Sequence, residues 1–246
     1  EDKWLVVAES YVLDWISDNH DVWFRYPSEF SWHEHATALR LRAWMAFWQI
    51  WIGSSLATAE KSGRVLDAML AHATRLADPH FYTDSHNHGI DQDIALLEFS
   101  FLFPQLDGAA AWRDLSVRRL QKQMSATISK DGVHLEHSPG YHLQVCKLLL
   151  EISELSRLND PTIAQRLDVD ATVARMADFL SWILMPNGDL PRLGDTATEN
   201  VADDPKAWSM LANRSELLRS FISGRPRDGV ALYKTEGYVV DRRSSG

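Results

Sequence analysis

Helical periodicity runs through nearly the whole chain, and it excludes most fold classes. From Trp4 to about residue 221, apolar residues recur at three- and four-residue steps, the spacing that places them on one face of an α-helix. Leu39, Ala43, Phe47, Ile50 and Ser54 trace such a face within a helix predicted over 32–59, which Ser31 could cap with Glu34 as its capping-box partner. Further helices are expected over 4–16, 62–77, 89–103, 109–128, 140–158, 169–185 and 206–221. Short breaks fall at Asp78-Pro79, Pro104, Asp107-Gly108, Asp131-Gly132 and Asp160-Pro161. Strand signals come only at the end, where Val230–Tyr233 and Tyr238–Val240 flank Thr235-Glu236-Gly237 as a hairpin. Consecutive helices with short connections form antiparallel pairs, in a bundle, a solenoid or an α/α toroid. The fixed period of the common helical solenoids is absent.

A chain of 246 residues can bury a full core without cross-links, and the single cysteine, Cys146, excludes an internal disulfide framework and a Cys-based zinc site. The net charge of −9, with no Lys/Arg run longer than two, argues against a nucleic-acid or anionic-membrane binder. Arginine outnumbers lysine; its planar fork suits carboxylates and sulfates, although a compositional bias explains it equally well. Ala43–Ala59 carries no charge, but it contains Gln49, Ser54, Ser55 and Thr58 and falls short of the roughly 20 apolar residues of a spanning helix. It reads as a buried helix, with no membrane insertion. The chain starts without the basic and apolar regions of a signal peptide, so none is expected in it.

Chemistry concentrates in two windows that hold six of the ten histidines, His80–Asp91 and Asp131–His142. Each precedes a predicted helix, where backbone N–H groups favour anions, and the two could converge on one pocket. A structural alternative stands beside this: Ser85 or Asn87 as a helix cap, and Ser138-Pro139-Gly140 as a turn that starts the next helix. His86-x-His88, His33-x-His35 and His134-x-x-His137, with Asp84, Asp91 and Glu136, supply metal-ligand types, but none has the spacing of a known zinc enzyme, and no metal is expected. Asp91 and Glu136 could also serve as the carboxylate pair of a glycoside hydrolase.

Ser85-His86-Asn87-His88-Gly89, followed about fifty residues later by Asp131-Gly132-Val133-His134-Leu135-Glu136-His137-Ser138-Pro139-Gly140-Tyr141-His142, resembles the heparinase II/III superfamily of polysaccharide lyases, which includes heparin/heparan-sulfate lyases and related alginate lyases. Pro186–Asp195 resembles that family's later P-x-G-x-x-P-x-x-G-D loop, and Trp32 followed by Arg40 fits its upstream Trp and Arg. The resemblance implies an all-α incomplete α/α toroid of antiparallel helix pairs, here 1–228. A short C-terminal β hairpin, 229–246, would be the start of a truncated β-sandwich element.

It also implies β-elimination on a uronic-acid polymer without a cofactor. A base removes the C5 proton beside the carboxylate and the glycosidic oxygen leaves from C4. Asn87 and His88 would donate to the carboxylate as it gains enolate character, where one oxyanion donor is worth roughly 3–4 kcal/mol. Tyr141 would be base, acid or both. Because a tyrosine's ordinary pKa of about 10 leaves phenolate scarce at neutral pH, donors or cations must favour it. Trp32, Arg40, His137, His142 and Arg192 would bind substrate, with core packing the alternative for Trp32 and a helix-to-helix turn for Arg192. The family also uses a His or Tyr from its β domain, whereas this chain has no histidine after His142 and only Tyr233 and Tyr238 near its end. The implied partners are an acidic polysaccharide and a β-sandwich domain, or a second chain, that completes the site. The implied address is periplasmic or secreted. A toroid glycoside hydrolase and a non-catalytic carbohydrate-binding or polysaccharide-assembly domain are the alternatives.

Overall fold

A computed structural model describes residues 2–19, 31–84 and 87–243; the expected contributions of Ser85 and His86 lie outside them. Among the described residues the chain forms ten helices and one antiparallel hairpin; the periodicity predicts the hairpin and eight helices, and the two more are Pro161–Leu167 and a division of 206–221. Its tertiary contacts divide it into two compact units, Glu1–Leu120 and Gln121–Gly246.

The first unit holds α1 (Asp2–Asn19), α2 (Glu34–Trp51), α3 (Ala59–Ala77), α4 (Asn87–Leu102) and most of α5 (Ala109–Thr127). The helix expected over 32–59 is shorter at both ends. It stops at Trp51, before Gly53-Ser54-Ser55, and Thr58 starts α3 by accepting the Lys61 N–H at 3.3 Å. It begins at Glu34, after an extended His33 that makes no side-chain cap bond. The Ser31 capping box does not form; the Ser31 carbonyl accepts Arg40 Nη2 at 2.6 Å instead. Leu41, Trp44, Met45 and Trp51 of α2 pack with Met69 and Leu76 of α3, Leu96 and Phe99 of α4, and Val12 and Ile16 of α1. Glu9 is buried in this core but fully engaged, accepting from Trp51 Nε1 at 2.7 Å and Lys61 Nζ at 2.6 Å, which fastens α1 to α2 and α3. Helix α4 is buried nearly all round.

The second unit holds α6 (Pro139–Asn159), α7 (Pro161–Leu167), α8 (Val169–Ile183), α9 (Pro205–Ala212), α10 (Glu216–Ile222), β1 (Gly229–Tyr233) and β2 (Tyr238–Arg242). Helices α6 and α8 pack along each other. The single helix expected over 206–221 is two, because Ser215 accepts the Leu218 N–H at 3.0 Å and caps a new start. Gly132 sits at φ 79°, where an added Cβ would lie 2.5 Å from the Arg175 carbonyl carbon, so only glycine lets the 131–137 turn lie this close to α8.

The hairpin pairs Leu232 with Val239 and Tyr233 with Tyr238. Arg242 Nη2 reaches the carbonyls of Ser181 and Trp182, each at 2.8 Å, and thereby satisfies acceptors that the end of α8 leaves open. Tyr233 and Tyr238 both meet the Phe179 ring edge-on, at 4.9 and 5.2 Å. Val230, Leu232 and Val239 point outward and are exposed. No helix among the described residues is long and apolar enough to cross a membrane.

Candidate active site

Helices α2 and α4 pack together in the first unit, and their first turns bring three imidazoles and two carboxylates into contact. His88 Nδ1 lies 3.2 Å from Glu34 Oε1, and His33 Nδ1 lies 3.3 Å from Glu34 Oε2. His35 Nε2 lies 3.0 Å from Asp91 Oδ2, and its ring stacks on that of His88 at 3.9 Å between centroids and 16° between planes. Arg42 Nη1 is 3.7 Å from Asp91 Oδ1, and Arg42 Nε donates to Glu98 at 3.0 Å. Burial favours the neutral Glu34 carboxyl, but its own backbone N–H, the His88 hydrogen bond and the charges of His33 and His88 outweigh that and hold it below the usual glutamate value. Burial pushes the Glu98 carboxyl up against the opposing pull of Arg42.

Beside His88, Asn87 opens α4 and is 5% exposed, and among the described residues its Oδ1 has no hydrogen-bond partner. A buried acceptor without a partner costs about 1–3 kcal/mol. Strain, a catalytic role, a water or an ion explains such a group.

Trp32 and Arg40 are built into the wall of this unit rather than held open. Trp32 is 6% exposed, with the Trp15 ring at 5.4 Å and the His72 ring at 4.7 Å. Arg40 stacks 4.0 Å from the centre of Trp15 and donates from Nε to His72 Nε2 at 2.8 Å. His72 Nδ1 in turn donates to the Ala68 carbonyl at 2.7 Å. Burial, then the Arg40 charge, drives His72 down to about 3, so the ring stays neutral and can accept from the guanidinium. Burial lowers Arg40 to about 10.

In the second unit, Ser138 caps α6 by accepting the Tyr141 N–H at 3.5 Å. Thr196, from the loop that follows Pro186, binds the same helix start: its Oγ1 lies 3.1 Å from Ser138 Oγ, accepts the Gly140 N–H at 3.0 Å and donates to the Leu193 carbonyl at 2.7 Å. A Cβ on Gly140 would press on Thr196 at 3.4 Å. The loop is thus stitched onto the helix that carries Tyr141. Together they line a shallow cleft of about 330 Å³ with Gln144, Lys147, Asp195 and Glu199. Tyr141 is half-buried, and among the described residues its hydroxyl has no hydrogen-bond partner. Lys147 is held by Asp204 at 2.9 Å, which leaves this cleft acidic on balance.

His137 is exposed in the left-handed region at φ 55°, and its ring lies 5.8 Å from Tyr238 of the hairpin. Such backbone strain on a non-glycine residue gathers at functional sites. Arg192 is exposed, with Nη2 donating to Thr198 Oγ1 at 2.7 Å. His142 is a core histidine rather than a surface one. Its Nδ1 accepts the His134 N–H at 3.2 Å, its Nε2 donates to the Met176 carbonyl at 3.0 Å, and burial drives it down to about 3. Both ring nitrogens are taken, so neither is left to offer a ligand.

Spacing gives Glu34 and Thr196 no role in a site and offers His35 only as half of a His33-x-His35 ligand pair. The run His33-Glu34-His35 was the signal for Glu34 and His35, visible only as a metal pair and a cap. Among the described residues no group of three or more His, Cys, Asp or Glu is arranged to hold a metal ion.

Residues 3–219 match the Heparinase II/III N-terminus family, and the chain belongs to it. It is 20% identical over 218 residues to a heparin-sulfate lyase of Bacteroides stercoris, covering 86% of this chain and 32% of that protein. A crystal structure of heparinase III superposes with a TM-score of 0.73 at 18% identity, covering 95% of this chain and 37% of the other. A mutant of the heparan sulfate lyase HepC from Pedobacter heparinus gives 0.71 at 18%, covering 92% and 38%. These likenesses show the fold, the helical toroid class with a short hairpin. The chain spans about a third of the length of these relatives.

Proposed function

We propose that the chain is the helical portion of a polysaccharide lyase that cleaves a uronic-acid-containing polymer, of the glycosaminoglycan or alginate type, by β-elimination. The observation that carries this reading is Asn87, a buried amide whose Oδ1 has no partner among the described residues, beside a histidine tied to a carboxylate. Family membership and relatives named as heparin- and heparan-sulfate lyases support the same class.

In this reading Asn87 and His88 donate to the substrate carboxylate and stabilise the negative charge that spreads onto it when the C5 proton leaves. Tyr141, as phenolate, takes that proton, the C4–O bond breaks, a C4=C5 double bond forms, and the Tyr141 hydroxyl then gives its proton to the departing glycosidic oxygen, which restores the phenolate. The Tyr141 cleft carries Asp195 and Glu199 against a single, already paired Lys147, so its own charge does not attract a polyanion. The groups that meet the substrate's charge are therefore assigned to the Asn87 and His88 side, with Arg192 and His137 as further contacts.

The reading includes a division at 228, with residues 229–246 opening a β-sandwich. Two strands alone are marginally stable in water, Val230, Leu232 and Val239 are left exposed, and the relatives are about three times longer. A periplasmic or secreted address belongs to the same reading. A near-ultraviolet absorbance assay against alginate, heparan sulfate and hyaluronan tests it, because elimination creates an absorbing unsaturated uronate and hydrolysis does not.

A further inference from the structure

A helix start leaves its first N–H groups without intrahelical partners, and side chains, water or a ligand must take them. At the start of α6, Pro139 has no N–H to satisfy. The Gly140 N–H goes to Thr196 Oγ1 at 3.0 Å, and the Tyr141 N–H goes to Ser138 Oγ at 3.5 Å. The His142 N–H already reaches the Ser138 carbonyl at 2.8 Å. Every donor of this turn is committed to the protein, although helix starts in general favour anions. The turn is built to hold Tyr141, not to bind a substrate carboxylate.

Counting protons gives these bonds a direction. A threonine hydroxyl has one proton, and a carbonyl only accepts. Thr196 Oγ1 lies 2.7 Å from the Leu193 carbonyl oxygen, where two acceptors would repel, so its proton is there. Toward Ser138 Oγ at 3.1 Å and the Gly140 N–H, Thr196 Oγ1 therefore accepts. Ser138 gives its proton to Thr196 and keeps its lone pairs for the Tyr141 N–H. Both residues are buried, so bulk water does not replace a lost partner.

We propose that Thr196 is the positioning residue for Tyr141: its hydroxyl orders a one-way chain of hydrogen bonds that fixes the first turn of α6, and with it the point from which the phenol enters the cleft. The proposal rests on the reading of Tyr141 as the base. The same chain holds the wall that carries Asp195 and Glu199 at a set distance from that phenol.

The deciding experiment compares Thr196→Val, which keeps the shape without the hydroxyl, with Thr196→Ser, which keeps the hydroxyl, at a temperature where both are fully folded. In Thr196→Val, kcat should fall about tenfold or more while KM for the polymer stays within about twofold, the signature of a misplaced reacting group. Thr196→Ser should recover most of that kcat. Hydrogen exchange gives a reading that needs no turnover: the Gly140 and Tyr141 amides should exchange about tenfold faster in Thr196→Val and near the parent rate in Thr196→Ser. A lower melting temperature with the kcat of the parent would reduce Thr196 to a structural fastening and overturn the proposal, as would unchanged exchange at Gly140. Full turnover in Tyr141→Phe overturns the reading of Tyr141 and the proposal with it. An inactive Tyr141→Phe beside a fully active Thr196→Val overturns the role of Thr196 alone.

Discussion

At the scale of single residues, Asn87 and Tyr141 separate function from stability most cleanly. Asn87 contributes an orphaned buried acceptor, so its removal relieves a cost of about 1–3 kcal/mol while deleting a donor to the substrate. Asn87→Ala should lower turnover by about two to three orders of magnitude and leave the melting temperature unchanged or higher. A lowered melting temperature with full turnover would make Asn87 a structural residue of α4. Tyr141→Phe removes one hydroxyl that no described residue uses, so it should leave folding intact, abolish turnover and keep polymer affinity within a few-fold. Retained activity in steady-state assays would take Tyr141 out of the reaction.

At the scale of elements, the hydrogen bonds that tie the loop 186–196 to the start of α6 run through one side chain. Thr196 Oγ1 contacts Ser138, Gly140 and Leu193, and Thr196→Val keeps the shape while removing all three hydrogen bonds. Thermal denaturation should show a loss of about 1–3 kcal/mol, with limited proteolysis cutting first between 191 and 199. A variant as stable and as resistant as the parent would mean the loop is held by other contacts. The helices themselves were legible in the sequence because their apolar spacing is local: 140–158 was expected and Pro139–Asn159 is observed. The breaks at Trp51 and Asn213 were less so. There, small polar residues, Thr58 and Ser215, start new helices by capping, and the apolar rhythm continues across the gap. Asn87, His88 and Tyr141 were found by motif. Glu34 and His35 were not, since their meaning lies in partners 54 and 56 residues away. Trp32, Arg40 and His142 carry the right residue types for binding, but only packing shows the Trp32 ring buried against Trp15 and His72, Arg40 engaged by His72 and Ser31, and both His142 nitrogens taken.

At the scale of the whole molecule, the two buried histidines tie stability to acidity. His72 and His142 are each driven down to about 3 when folded, so below pH ~6.5 the unfolded chain binds more protons than the folded one. Stability is therefore complete above that pH and falls by about 1.4 kcal/mol per pH unit for each histidine as pH drops toward 3. Burial pushes the Asp93 carboxyl well up, which acts in the opposite sense in the first unit, so the unit with His142 gives the clearer signal. Melting curves between pH 7 and pH 4 should decline steadily; a flat profile would mean that His142 is solvated. The central claim, β-elimination, is tested most directly by near-ultraviolet absorbance of the protein mixed with a panel of uronic-acid polymers. The account predicts a rising signal on at least one polymer, absent in Tyr141→Phe. Folded protein that binds a polymer yet yields no absorbing product, or that cleaves it without one, would contradict it.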